Sequence, residues 1–168
     1  MQKQNRLRWA VHAIFLLIIF LLQNTRGLTV EIFGVPPLLL VPFSVCLGLF
    51  EHEAPGACFG FAAGILWDVN AISWPGFNAI LLMVFGCLCG WLVTNLIRNN
   101  FLSAFLLTGA SLSIYCVLHW LFFYCFKGYD NAGYAFWHFY AVQLVYSLLC
   151  LIPIYFFMRF LMKLMRAF

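Results

Sequence analysis

The sequence predicts an all-α, polytopic integral membrane protein with six transmembrane helices and both termini in the cytoplasm. Three observations predict it. The chain is 65% hydrophobic and 8% charged, with a mean hydropathy of +0.99, which leaves too little polar surface for a soluble globule. Its apolar runs are separated by short connections rich in Pro, Gly or charge. Its basic residues are divided unevenly between alternate connections. In a six-span arrangement Lys3, Arg6, Arg8, Arg98, Arg159, Lys163 and Arg166 fall on one side, and Arg26 and Lys127 on the other. That is the positive-inside pattern for two cytoplasmic ends, and five spans would weaken it by sending the basic C-terminus outward.

Six crossings consume nearly all of the 168 residues, so the chain reads as a single transmembrane domain, 1–168. The formal charge of +4 is spread over the ends of spans, which gives no nucleic-acid-binding run. All seven cysteines lie in apolar stretches, and Cys87 and Cys89 point to different sides of a helix. They read as free, small hydrophobes and give no disulfide framework.

The first span, about 9–24, follows Lys3, Arg6 and Arg8 and ends at Gln23-Asn24-Thr25-Arg26 without a small-residue cleavage site, so it reads as retained. Leu28, Val30 and Ile32 then alternate with Thr29, Glu31 and Phe33, the pattern of a short extended piece. Pro36-Pro37 opens the second span, about 36–50, where missing amide protons do least harm. Glu51-His52-Glu53 closes it as a solvated loop.

The third span, about 55–68, starts at Pro55 and would rise only about 20 Å to Trp67, less than the roughly 30 Å hydrocarbon core. Asp68 is thereby expected below the membrane surface, followed by irregular backbone over 69–76 that needs shielding by protein or water. The fourth span, about 77–97, ends at Arg98-Asn99-Asn100, and the fifth, about 101–126, carries Ser111, Ser113 and His119. Aromatics crowd the next connection in the manner of an interfacial belt. The last span, about 138–158, contains Pro153, expected to kink it, and leads into Arg159, Lys163 and Arg166, a basic face suited to anionic lipid.

The most informative stretch is Pro55 to Asp68. Gly56, Gly60, Gly64 and Asp68 recur every four residues, so a helix places them in one narrow row without β-carbons that ends in a carboxylate. Such rows mark helix contact faces in lipid, either within the chain or against a partner. Gly86 and Gly90 repeat the spacing in the fourth span. An unpaired charge at this depth is costly, so Asp68 is expected to be neutralised by Arg26 or Lys127, by helix ends or by a partner protein, or else to cap its own turn. His12, His52, His119 and His138 are scattered without metal-ligand spacing. No nucleophile, acid or base is grouped as catalysis requires, and neither an enzyme nor a cofactor is expected.

These residues carry a resemblance. Leu21-Leu22-Gln23, Gly34 with Pro36 and Pro37, Gly60-Phe61 with Gly64 and Asp68, Gly76, and Arg98-Asn99 together resemble the rod shape-determining protein MreD family, over the first hundred positions. The resemblance implies a non-enzymatic component of the bacterial wall-elongation machinery in the cytoplasmic membrane. It implies MreC as partner and, through the complex, MreB, RodA and a penicillin-binding transpeptidase. Gln23, Gly56, Gly60, Phe61, Gly64, Asp68 and Arg98 are the candidate partner-binding or helix-packing residues. A second reading is the substrate-binding component of an energy-coupling-factor transporter. That family commonly docks its membrane partner through Ala-x-x-x-Ala on the first helix, where this chain has only Ala10-x-x-Ala13.

Overall fold

The computed structural model describes residues 2–25, 35–70, 75–97, 99–125 and 139–167, with side chains other than those of 2–7, 124–125 and 166–167. The described residues form helices α1 (Gln2–Asn24), α2 (Leu40–Glu51), α3 (Glu53–Asn70), α4 (Phe77–Asn95), α5 (Phe101–Trp120, continued by a π-helical turn Leu121–Cys125) and α6 (Ala141–Ala167). By length and composition α4, α5 with its extension to Phe123, and α6 over Ala141–Met165 are long and apolar enough to cross a membrane. Apolar runs in α1 and α2 are shorter.

Helix α2 sits at the centre. Every residue from Leu40 to Leu49 is buried, as a helix that is apolar all round requires. It packs against each of the other five helices. These form a ring around it: α1 beside α3, α3 beside α4, α4 beside α5, α5 beside α6, with Phe157 of α6 closing on Phe15 of α1 at 4.7 Å between ring centroids. Helix α1 shows how a ring member is oriented. His12, Phe15, Leu16 and Ile19 are buried at helical spacing, while Ile14, Leu17, Ile18 and Leu21 face outward.

Three element boundaries differ from the sequence reading. α2 begins at Leu40 instead of at the Pro36-Pro37 pair, because Pro42 belongs in a first turn and cannot donate to Leu38. α3 begins at Glu53 and continues past Asp68 to Asn70, so it is about 27 Å long rather than about 20 Å. Glu51-His52-Glu53 is a corner in place of a loop, with His52 and Glu53 exposed as expected: His52 alone separates α2 from α3, and its φ of 75° lies in the region that favours glycine. The alternating piece over 28–33, the turn residues 71–74, Arg98 and most of the aromatic connection lie outside the described residues.

Candidate functional site

The glycine row on α3 is filled by the chain's own α4. α3 and α4 run antiparallel, with Gly64 against Ala79, Gly60 against Leu82 and Met83, Gly56 against Gly86, and Glu53 against Gly90. A β-carbon added at Gly60 would overlap the Leu82 carbonyl oxygen, and one at Gly56 would lie 2.6 Å from the Gly86 oxygen. The two backbones therefore touch, which only residues without side chains permit. Gly48 of α2 enters the same seam against Gly86 and Gly90. A partner helix lying along this row is excluded, since α4 already occupies it. Phe61 points the other way and is 44% exposed.

Asp68 continues the glycine row by one more step of four, and that step brings its carboxylate to the start of α4. Oδ2 accepts from the amides of Gly76 at 2.9 Å and Ala79 at 3.1 Å. Oδ1 accepts from the Asn78 amide at 3.2 Å and from Asn78 Nδ2 at 2.8 Å. A helix N-terminus presents unpaired N–H groups and a positive dipole end, so a carboxylate there satisfies both. Asp68 is thus held by a helix end, and Arg26 and Lys127 lie outside the described residues. Asn78, 2% exposed, passes the network on by accepting from the Tyr115 hydroxyl at 2.8 Å. Tyr115 stacks on Trp67 with centroids 5.3 Å apart, tying α5 to both α3 and α4.

The entry to α2 is built in the same way from distant side chains. Gln23 Oε1 accepts from the amides of Leu39 at 2.8 Å and Leu40 at 2.9 Å, so α1 caps α2. Ser147 Oγ of α6 accepts from the Leu38 amide at 2.8 Å. Gln143 Nε2 donates to the Pro36 carbonyl at 3.2 Å. The non-helical backbone over 36–39, exposed at Pro36 and buried from Pro37 on, is thereby supplied with partners. His119, expected in a hydrogen-bonded structural role, has Nδ1 2.7 Å from the Tyr140 hydroxyl.

At the other end of α2, Glu51 lies beyond the apolar run. Its Oε1 accepts from Arg8 Nη2 at 2.8 Å, and His12 Nε2 lies 3.3 Å away. Burial pushes the Glu51 carboxyl up, but the facing His12 and the Arg8 guanidinium outweigh it and hold the group below its ordinary 4.5. A carboxylate lowered on folding contributes stability above its unfolded value, and that contribution is lost as the pH falls through the folded one. Glu51→Gln is therefore expected to lower the melting midpoint at neutral pH and to flatten its fall below pH 4.5, measured in mild detergent. Parallel curves for both proteins would refute the coupling.

Sequence reasoning missed Asn78, Tyr115, Gln143, Ser147 and the Arg8–Glu51–His12 cluster, each a polar residue among apolar ones whose partner is distant in sequence. Asn99 Nδ2 also caps the end of α2 by donating to the Leu49 carbonyl at 2.9 Å. Among the described residues there is no group of three or more His, Cys, Asp or Glu positioned to hold a metal.

A glycine-sealed helical bundle with long apolar helices, whose buried polar groups cap helices, defines a helical membrane protein. Within that class, the chain belongs to the rod shape-determining protein MreD family, whose family model matches residues 3–165. Neither the curated proteins nor the solved structures include a match.

Proposed function

We propose that this chain is a non-enzymatic, multi-pass component of the bacterial cell-wall elongation complex in the cytoplasmic membrane, where it packs against MreC and organises the wall-synthesis enzymes. The observation that carries this reading is the family match over residues 3–165. The geometry agrees with it in one respect: the carboxylate of Asp68 is saturated by four donors from its own chain and serves as a cap. Partner contact then falls to the outward faces of the ring, including that of Phe61, and to the helix ends. MreB, RodA and a penicillin-binding transpeptidase join indirectly.

Six crossings with both ends cytoplasmic belong to the same proposal. The second crossing combines the non-helical residues 36–39 with residues 40–50 of α2, which together reach about 30 Å, the thickness of the hydrocarbon, and leave Glu51 at its end.

One experiment tests both parts. A fluorescent protein that matures only in the cytoplasm is fused after Phe168 and used as bait from native membranes in mild detergent. Fluorescent bait recovered with MreC is expected. Dark bait would sink the topology, and fluorescent bait that brings a transporter coupling subunit with ATPases in place of MreC would sink the function.

A further inference from the structure

Helix α6 is 27 residues long, about 40 Å, and outruns the roughly 30 Å hydrocarbon by two turns. Where it outruns its neighbour is fixed by Phe101, the first residue of α5, whose ring lies 5.3 Å from Tyr155 and is stacked on Phe156 at 5.9 Å. Arg159 is one turn beyond that level and Lys163 two turns beyond it.

The residues of this end divide into three strips. Tyr155, Met158 and Met162 are buried against the bundle. Phe156, Phe160 and Leu164, spaced by four, are 54%, 60% and 46% exposed. Arg159 and Lys163, also spaced by four and exposed, lie between those two strips. Among the described residues neither cation has a carboxylate within ion-pair distance: Glu51 is taken by Arg8 and His12, Asp68 by α4, and Glu53 lies at the start of α3 against Gly90. Two unneutralised cations one helical turn apart, flanked by exposed aromatic and aliphatic side chains, match the chemistry of a lipid whose phosphate is anionic and whose chains are apolar.

We propose that the C-terminal end of α6 is a recognition face for anionic phospholipid, in which Arg159 and Lys163 share one headgroup phosphate while Phe160 and Leu164 lie along the acyl chains. This goes beyond the role in wall elongation and does not rest on it. The full chain is reconstituted in discs of equal phosphatidylglycerol and phosphatidylcholine, and the lipids retained after mild delipidation are counted by mass spectrometry. Wild type is expected to retain phosphatidylglycerol preferentially, and Arg159→Gln with Lys163→Gln to lower that preference roughly tenfold. The charge-keeping pair Arg159→Lys and Lys163→Arg is expected to preserve it. The neutral pair is expected to melt like wild type in phosphatidylcholine alone, which separates lost recognition from lost fold. Equal preference in wild type and the neutral pair overturns the proposal. So does a neutral pair that keeps its lipid preference while losing a co-purifying acidic protein, since the face would then belong to that protein.

Discussion

Gly60→Leu is expected to abolish the folded bundle. The glycine lies where α3 and α4 meet backbone to backbone, and even a methyl there would overlap the Leu82 carbonyl oxygen. A carbonyl in a helix cannot rotate aside as a side chain can, so the helices must separate toward the 8–10 Å typical of ordinary side-chain packing. Overpacking a core by a methylene costs about 1–3 kcal/mol. Here the displacement also pulls Asp68 from α4 and Gly48 from Gly86, so the sum approaches the ~5–15 kcal/mol that holds a whole domain together. Fluorescence-detected size exclusion should show loss of the monodisperse peak for Gly60→Leu and a lowered melting midpoint for Gly60→Ala. Two controls give the result its meaning. Gly109→Ala should be tolerated, because its nearest neighbour, Leu148 Cδ2, would be 3.8 Å away. Phe61→Leu, on the opposite face of α3, should leave the midpoint nearly unchanged. A wild-type midpoint for Gly60→Leu would refute the seam.

The particular residues show how much of this was legible in the sequence. Hydropathy alone gives the all-helical class, and spacing alone gives both small-residue rows, Gly56-Gly60-Gly64 and Gly86-Gly90. The pairing of the two was not legible, because a row without β-carbons receives a partner's helix as readily as its own chain's. What decides is the placing of Ala79 opposite Gly64, from which every later pair follows in the antiparallel register. Helix starts were harder still. Gln23 is an ordinary end to an apolar run until Leu39 and Leu40 are folded against it, 16 and 17 residues later. Local capping rules look within a turn of the cap, and both α2 and α4 are capped from another helix. The same holds for Glu51, which reads as surface charge beside His52 and Glu53 until α1 brings Arg8 and His12 to it.

Asp68→Ala is expected to destabilise the bundle by at least ~3 kcal/mol, with Asp68→Asn at about half that cost. Alanine leaves the amides of Gly76, Asn78 and Ala79 and the side-chain nitrogen of Asn78 without their acceptor. A buried donor left unpaired costs about 1–3 kcal/mol, and of these donors those of Asn78 and Ala79 belong to buried residues. Asparagine keeps one carbonyl oxygen, which can still serve the donors now on one side, but it turns an NH2 toward the donors on the other. The difference between the two variants therefore separates capping from charge. If Asp68 chiefly neutralised a distant cation, both substitutions would remove the charge equally and their midpoints would coincide. If it caps α4, asparagine lies between wild type and alanine. The spectroscopic consequence is local: Asn78, released by Asp68, loosens its hold on the Tyr115 hydroxyl, and Trp67, stacked on Tyr115, reports it by a change in fluorescence. Such a change in Asp68→Ala, repeated in Tyr115→Phe where only the far end of the network is cut, is the result expected of one continuous path from the glycine row to α5. Independent behaviour of the two variants would divide that path at Asn78.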